Sequence, residues 1–396
     1  MKNNYTFLEK LLDGAEVEWK TLDEIFHLKN GYTPSKGVKE YWENGSIPWF
    51  RMEDIRENGR ILNTALQKVS ESAVKGGKLF PANSIIIATS ATIGEHALIT
   101  IPFLANQRFT VLSLKPEYID KFNIYFLYHY CFTLDDWCQK NTNMSRFASV
   151  DMNGFRRFPI PIPPLPIQTK IVKILDALTA LTSELTSELI LRRKQYEYYR
   201  EKLLNIDGMN KVIELGDVGP VRMCKRILKN QTASSGDIPF YKIGTFGKKP
   251  DAYISNELFQ EYKQKYSYPK KGDILISASG TIGRTVIFDG ENSYFQDSNI
   301  VWIDNDETLV LNKYLYHFYK IAKWGIAEGG TIQRLYNDNL KKVKISIPPL
   351  KEQQRIVSIL DKFETLTNSI TEGLPLAIEQ SQKRYEYYRE LLLNFS

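Results

Sequence analysis

Cysteine is scarce in this sequence, which holds only Cys131, Cys138 and Cys224 among 396 residues. An odd count without a CxxC spacing supplies neither a disulfide framework nor a zinc-binding motif. All three are therefore predicted to be plain thiols.

Histidine is equally scarce, and its placement excludes a metal centre of the usual spacing. None of the four histidines stands at metal-ligand distance along the chain from another histidine or from a cysteine: His27, His96, His129 and His317. They are predicted to be surface or core residues. A GxxxxGK[ST] phosphate loop is also missing, so nucleotide hydrolysis is not supported.

Long apolar runs are absent too. No stretch reaches the roughly 18 to 20 apolar residues that a membrane span needs, and the first residues lack the apolar stretch of a signal peptide. The sequence predicts a cytoplasmic protein that makes no membrane contact.

The composition is that of a folded globular chain, with 43% hydrophobic and 25% charged residues and 12% aromatics. A length of 396 residues predicts two or three domains, each able to bury its own core. The net charge of +6 is compatible with binding to nucleic acid but does not establish it.

An internal duplication dominates the sequence. The segment IPPLPIQTKIVKILD at 162–176 matches IPPLKEQQRIVSILD at 347–361 at ten of fifteen positions, and KQYEYYREKLLN at 194–205 matches KRYEYYRELLLN at 383–394 at ten of twelve. The regions ahead of these segments match more faintly, as in IIIATSATIG at 85–94 and ILISASGTIG at 274–283. The repeat unit is about half the chain.

Each pair of matched segments is predicted to form one long helix that starts after a double proline, because a helix can begin just after proline but not continue through it. The second helix is predicted to kink at Pro375. Apolar residues at spacings of three and four form a coiled-coil seam along each helix: Ile171, Ile174, Leu178, Leu181, Leu185, Tyr196 and Tyr199 in the first, and Ile356, Ile359, Phe363, Leu366, Ile370, Tyr385 and Tyr388 in the second. Between its matched ends the second helix has four residues more than the first, which predicts about one additional turn.

These paired blocks resemble the specificity subunits of type I restriction-modification enzymes over the whole chain. The resemblance implies an α+β fold with two target-recognition domains, separated by two long helices that form an antiparallel coiled coil with internal pseudo-two-fold symmetry. The expected boundaries are residues 1–160 and 209–346 for the two domains, called here the first and second lobe, and residues 161–208 and 347–396 for the helices.

The resemblance also implies the function and the partners. Such a subunit has no catalytic site, reads a bipartite target in double-stranded DNA, and carries two methyltransferase subunits and, through them, restriction subunits. S-adenosylmethionine, ATP and Mg²⁺ are then expected in those partners, with no cofactor or metal in this chain.

Residues for DNA contact are predicted only from side-chain type and from their position on turns after apolar strands. In the first lobe they are Arg51, Ser90, Thr92, Gln107, Arg108, Asn143 and Arg146, and in the second Lys242, Ser279, Thr281, Arg284, Gln296, Asn299, Gln333 and Arg334.

Two other functions compete with this interpretation. Asp251, Glu261 and Lys263 have the outline of a Mg²⁺-dependent nuclease motif, although residues 256–265 are predicted to be helical, whereas such carboxylates need adjacent strands. The second alternative is a coiled-coil interaction protein with no role on DNA, which the paired lobes make less favourable.

Overall fold

The computed structural model describes residues 7–143, 148–205, 210–325 and 333–395. The chain divides into two compact units, and each combines one lobe with parts of both long helices. Unit 1 contains the residues up to Glu184 together with those from Glu379 onward, and unit 2 runs from Leu185 to Ile378. No helix in the described part of the chain is both long and apolar enough to cross a membrane.

The first lobe is a mixed α and β structure. Its helices are α1 (Phe7–Leu12), α2 (Leu22–Ile25), α3 (Met52–Asn58), α4 (Ile124–Lys140) and α5 (Met152–Arg156), and its strands are β1 (Glu18–Thr21), β2 (Phe26–Asn30), β3 (Ile47–Phe50), β4 (Ile61–Leu62), β5 (Lys68–Val69), β6 (Ser84–Ala88), β7 (His96–Ile99), β8 (Leu104–Ala105), β9 (Phe109–Leu114), β10 (Thr142–Asn143), β11 (Ser149–Val150) and β12 (Pro159–Ile162). The first long helix, α6 (Leu165–Leu203), follows.

The second lobe repeats this plan. Its strands are β13 (Lys211–Glu214), β14 (Val221–Arg222), β15 (Ile238–Tyr241), β16 (Tyr253–Ile254), β17 (Ile274–Ser277), β18 (Thr285–Ile287), β19 (Tyr294–Phe295), β20 (Ile300–Ile303) and β21 (Lys344–Ile347), and its helices are α7 (Leu215–Val218), α8 (Asn256–Lys265), α9 (Asn312–Tyr319) and α10 (Asn337–Lys341). Helices α11 (Leu350–Asn368) and α12 (Leu374–Leu393) complete the chain.

The strand order establishes the duplication in the lobes, where the sequence match is weak. The order β2-β9-β6-β7 of the first lobe corresponds to β14-β20-β17-β18 of the second, β5-β3-β8 to β16-β15-β19, and the antiparallel pair β1-β12 to β13-β21. The first lobe adds β4 at the edge of its main sheet. In both lobes the central strand, β6 or β17, is fully buried, so an apolar run forms the middle of each sheet.

Local chemistry sets the ends of two lobe helices. Helix α4 begins at Ile124, because Pro116–Lys121 forms a 3₁₀ turn and the Asn123 side chain caps the helix by accepting from the Tyr125 N–H at 3.0 Å. Helix α9 ends at Tyr319. The helix expected at 256–265 is confirmed as α8.

In each unit α6 packs against a helix that runs in the opposite direction. In unit 1 the hydroxyls of Thr182 and Ser381 are 2.8 Å apart, and α6 residues nearer the start of the helix share a core with Leu392 and Leu393. In unit 2 Arg193 donates to the Thr367 carbonyl at 3.4 Å, whereas Tyr196 stacks on Phe363 with ring centres 6.1 Å apart. The residue numbers rise on one helix as they fall on the other, so both helix pairs are antiparallel.

The structure differs from the predicted seam at two positions. Leu181 is 38% exposed, and the neighbouring Thr182 faces inward, its hydroxyl also donating to the Leu178 carbonyl at 3.1 Å. Ile370 is 78% exposed because it lies outside both helices. Tyr199 is 36% exposed but stacks on Phe363. The other predicted positions are buried or half-buried: Ile171, Ile174, Leu178, Leu185, Tyr196, Ile356, Ile359, Phe363, Leu366, Tyr385 and Tyr388.

The predicted kink at Pro375 is instead a complete break. Helix α11 ends at Asn368, and α12 begins at Leu374 with Pro375 in its first turn. Proline is tolerated there because backbone N–H groups in the first turn of a helix have no partner within the helix. Gly373 has φ of +88°, a left-handed conformation that glycine adopts without strain. Helices α11 and α12 together contain 39 residues, as many as α6, so the non-helical residues 369–373 take up the whole excess of the second copy. The prediction of one added helical turn is therefore wrong.

Candidate nucleic-acid interface

A tight loop follows the central strand of the first lobe and is called here reading loop 1 (residues 89–94). Its backbone turns at Ala91 and Gly94, which have φ of +66° and +79°. Ser90 forms an isolated antiparallel bridge with Ser149, and Ser149 pairs with Asn143 between β10 and β11. The predicted residues Ser90 and Asn143 are therefore connected through Ser149. Thr92 is half-buried in the same loop, and Arg146 lies outside the described residues.

The second lobe holds the same device, reading loop 2 (residues 278–283). Gly280 and Gly283 have φ of +65° and +81°, nearly the values found in reading loop 1. Ser279 forms a bridge with Arg334, and its hydroxyl donates to Asn299 Oδ1 at 2.9 Å. Three of the predicted residues, Ser279, Asn299 and Arg334, are thereby brought together. The Arg334 guanidinium donates to the Ser298 carbonyl at 3.4 Å.

The substitution Ala91→Gly is expected to stabilise unit 1 by about 0.5 to 1 kcal/mol, because a left-handed backbone strains alanine but not glycine. The reverse change, Gly280→Ala, is expected to destabilise unit 2 by about 1 kcal/mol. A Cβ at position 280 would have Ile243 as its nearest neighbour at 3.8 Å, so no clash obscures the backbone effect. Thermal unfolding of the variants measures both changes. Ala177→Gly in the middle of α6 is the control and should lose stability; a similar loss in Ala91→Gly would contradict the assignment.

Several predicted residues of the second lobe support the loop Lys242–Gly247 from inside. Gln296 Oε1 accepts from the Ile243 N–H at 2.9 Å, and the Arg284 guanidinium donates to the Phe246 carbonyl at 3.1 Å. Lys242 pairs with Asp251 at 2.9 Å. Thr281 and Gln333 are exposed, on reading loop 2 and just before Arg334 respectively.

In the first lobe, Gln107 and Arg108 are exposed on the turn between β8 and β9. The Arg108 carbonyl accepts from the Thr89 N–H at 3.0 Å, which fixes this turn beside reading loop 1. The Gln107 side chain accepts a hydrogen bond from Thr33. Arg51 lies over the Trp49 ring at 5.5 Å.

The nuclease motif is not assembled. Asp251 pairs with Lys242, whereas Glu261 pairs with Lys265 at 2.9 Å along α8. Lys263 packs over the rings of Phe259 and Tyr268 at 5.2 and 5.0 Å. Each member of the motif is thus engaged with a different partner, and the arrangement gives no support to a nuclease.

Two of the four histidines are buried and make equivalent contacts in the two units. In unit 1, His129 Nε2 lies 2.9 Å from Asp176 Oδ1, and its Nδ1 lies 3.4 Å from the Tyr385 hydroxyl. In unit 2, His317 Nε2 lies 2.8 Å from Asp361 Oδ1 and its Nδ1 3.5 Å from the Tyr196 hydroxyl. The aspartates and tyrosines are identical residues of the repeat. Each histidine therefore joins its lobe to both helices of its unit.

His317, Asp361 and Glu364 have ligand atoms close enough together for a metal ion. Lysine ammonium groups already neutralise the two carboxylates, with Lys313 at 2.6 Å from Asp361 and Lys320 at 2.5 Å from Glu364. Two cations at this position would repel a third. The group is therefore explained as an ion-pair network that anchors α9 to α11.

The stability of unit 2 is expected to fall as pH falls below about 6.5, the ordinary pKa of histidine. Burial lowers the pKa of His317 against the opposing effect of Asp361. Near this pH the unfolded chain therefore binds more protons than the folded chain. The free energy of unfolding is highest above the unfolded pKa of the histidine, and it falls as the pH decreases toward the lower pKa of the folded state. For one group the slope is at most about 1.4 kcal/mol per pH unit.

Chemical denaturation at pH 5.5, 6.5 and 7.5 measures this dependence, which His317→Gln should flatten. His27→Gln is the matched control because His27 is exposed. If both variants keep the slope of the original chain, the dependence arises elsewhere.

Sequence reasoning missed two exposed tyrosines in the helices. Tyr198 and Tyr387 occupy equivalent positions of the repeat and are 57% and 61% exposed. Each contacts the tyrosine that follows it, at 5.4 Å in both copies. Both tyrosines lie off the predicted seam and are identical in the two copies. This combination could have identified them from the sequence as candidate interface residues.

Solved structures share the fold. The HsdS subunit of Thermoanaerobacter tengcongensis aligns over 96% of this chain and 97% of its own, with a TM-score of 0.53 and 17% identity. A chain from a structural study of complex assembly and conformational transition in the type I restriction-modification system aligns over 96% and 98%, with a TM-score of 0.62 and 16% identity.

Sequence comparisons identify the family. The profile described as type I restriction modification DNA specificity domain matches residues 15–192 and again residues 208–380. A putative type I restriction enzyme specificity subunit of Haemophilus influenzae is 68% identical over the full length of both chains. The EcoprrI specificity subunit of Escherichia coli is 47% identical over 93% of this chain and 92% of its own. The chain therefore belongs to the family of type I restriction-modification specificity subunits.

Proposed function

We propose that this specificity subunit reads a bipartite sequence in double-stranded DNA, with one half-site for each lobe. The observation that carries the proposal is the equivalence of reading loops 1 and 2, which have nearly the same φ angles at both turning residues and are identical at four of six positions. The residue bridged to each loop differs, Ser149 in the first lobe and Arg334 in the second. A shared loop with a different residue beside it suits two modules that dock alike and recognise different bases.

We further propose that two methyltransferase subunits bind at the repeated exposed tyrosines. A solvent-exposed aromatic ring is a typical anchor of a protein interface. Tyr198 borders a concave surface of unit 2 that Phe318 and Ile321 also line, and Tyr387 borders one of unit 1 that Leu8 and Phe395 line. Two equivalent sites favour two copies of the same partner. These partners would bring S-adenosylmethionine, and restriction subunits bound to them would bring ATP and Mg²⁺.

Co-expression with the methyltransferase subunit, followed by native mass spectrometry, tests the stoichiometry. Two methyltransferase subunits per chain are expected. Tyr198→Ala and Tyr387→Ala are each expected to remove one of them, and the double variant both. Tyr266→Ala is the control, because Tyr266 is 42% exposed in the second lobe and lines neither of these two concave surfaces. A single partner per chain, or equal loss in the control, would contradict the proposed sites.

DNA binding is tested on the same complex with the duplex that methylome sequencing of the host identifies. The complex should prefer this duplex to an unrelated one, with an affinity that falls as salt rises. Equal affinity for both duplexes would refute the DNA-reading function.

A further inference from the structure

A cleft of about 620 Å³ opens in the first lobe beside reading loop 1. It is lined by part of the segment 33–43, by the end of β3 with the residues that follow it, and by the turn 106–109. Four cations and two carboxylates line it: Lys36, Lys39, Arg51 and Arg108, with Glu43 and Glu53. The cleft is therefore positively charged and favours an anion.

The cations of this cleft are largely free to bind. Lys36, Lys39 and Arg108 are exposed and form no ion pair within the described parts of the chain. Arg51 approaches its nearest carboxylate, Glu53, only to 3.9 Å, and its buried Nε atom has no hydrogen-bond partner there. A buried guanidinium nitrogen without an acceptor is unfavourable, and an anionic oxygen would correct it.

Two tryptophans form much of the apolar part of the cleft, which Met52 and Phe109 also line. Trp42 and Trp49 meet edge to face with ring centres 5.0 Å apart. Their indole N–H groups are already used, donating to the carbonyls of Ser35 and Tyr32, both at 3.0 Å. The rings can therefore offer only apolar surface to a ligand. Because Arg51 stacks on Trp49, its guanidinium is held in place before an anion arrives.

In the described part of the second lobe, the position equivalent to Arg51 holds a cation that is already paired. Lys242 follows β15 as Arg51 follows β3, and these strands pair in the same way, Phe50 with Ala105 and Tyr241 with Phe295. Lys242, however, is neutralised by Asp251 at 2.9 Å. The two lobes thus differ at this position in charge.

We propose that the cleft of the first lobe binds one phosphodiester of the DNA backbone next to its half-site. Lys36, Lys39 and Arg51 pair with the phosphate oxygens, and Trp42 packs against the neighbouring deoxyribose. DNA is favoured over a free nucleotide because Arg108 lines the cleft, and its backbone carbonyl accepts from the Thr89 N–H of reading loop 1. This assignment rests on the proposed DNA-reading function. It predicts that the first lobe binds the DNA backbone at this position and that the second lobe does not.

The test compares Lys36→Ala/Lys39→Ala with the original chain, both in complex with methyltransferase subunits. Fluorescence anisotropy measures binding to the target duplex and to an unrelated duplex at several salt concentrations. The variant is expected to bind both duplexes about tenfold more weakly near 0.1 M salt, with a salt dependence less steep by about one counterion. Lys170→Ala/Lys173→Ala removes the same charge from exposed positions of α6 and should leave binding unchanged.

A phosphate scan locates the contact. Single phosphates of the target duplex are replaced by neutral methylphosphonates. One position beside the half-site of the first lobe should weaken binding of the original chain about tenfold and leave the Lys36→Ala/Lys39→Ala variant unaffected, because the two changes remove the same interaction. Additive losses at every position would overturn the assignment. So would saturable quenching of tryptophan fluorescence by dAMP in the absence of DNA, since it would identify a nucleotide site.

The outcomes separate this inference from the function on which it rests. If the original complex does not distinguish the target duplex from the unrelated one, the DNA-reading proposal fails. If it does distinguish them but the cleft variant binds as well as the control, only the backbone site is refuted.

Discussion

A chain whose second lobe is exchanged for that of another family member is expected to recognise a DNA target with one half changed and the other half unchanged. Each lobe has its own buried core, and each has its own reading loop. Base contacts by one loop should therefore be independent of the other lobe. Methylome sequencing of cells that carry the exchanged chain and its methyltransferase reads both half-sites directly.

The structure defines where the exchange must begin and end. The boundary expected from the sequence, residues 209–346, ends inside β21, whereas β13 pairs with β21 from Lys211 to Ile347, so both complete strands should come from the donor. His317 must also be present in the donor, because it contacts Asp361 and Tyr196 of the retained helices. A chimera with glutamine at this position serves as a comparison and should lose stability rather than change its target. Alteration of both half-sites in the intact chimera would contradict independent reading.

Gln353→Leu is expected to destabilise unit 2 by about 3 kcal/mol, and Gln168→Leu to affect unit 1 similarly, because each leaves several buried polar groups unpaired. Gln353 is fully buried. Its amide nitrogen donates to the carbonyls of Leu309 at 3.0 Å and Pro348 at 2.8 Å, and its oxygen accepts from the Leu311 N–H at 2.9 Å.

Gln168 makes the same three bonds in unit 1, to Lys121 and Pro163 at 2.9 and 2.8 Å and from Asn123 at 2.8 Å. Calorimetry of the two variants should show one unit melting roughly 10 °C lower, at about 2 to 4 °C per kcal/mol for units of this size. Gln382→Leu is the control, because this exposed glutamine bonds only to Glu386 one turn along α12 in the described structure. Losses of equal size in all three variants would mean that glutamine burial is not the cause.

The parts of the fold that follow from periodicity were predictable. Local residue spacing predicts the helices that follow the double prolines and most of the seam, because a helix returns to the same face every 3.6 residues. The repeat also predicted two similar lobes. The identity of Gln168 with Gln353, and of Asp176 with Asp361, was visible as well. The structural reason for these identities was not visible in the sequence, because the partners of these side chains lie on distant loops and helices.

The remaining differences arise from contacts that no local pattern records. Thr182 replaces Leu181 in the seam because a hydroxyl facing the partner helix finds Ser381 there. The break at residues 369–373 follows from a left-handed glycine two residues before a proline. The sequence contains both residues, but they suit a kink equally well. Predicted DNA residues such as Arg284 and Gln296 have the right chemistry, yet the fold uses their side chains to hold a loop. Side-chain type alone cannot separate these two roles.

The composition of the two units sets an order of completion during synthesis on the ribosome. Unit 2 is one continuous stretch of chain, whereas the core of unit 1 includes Tyr385, Leu392 and Leu393, which are translated after all of unit 2. The lobe that emerges first must therefore wait, with apolar surface uncovered, until these residues have been made. The usual vectorial order, in which the N-terminal domain matures first, is reversed here. A chain truncated before Glu379 would therefore contain a complete second unit and an incomplete first unit.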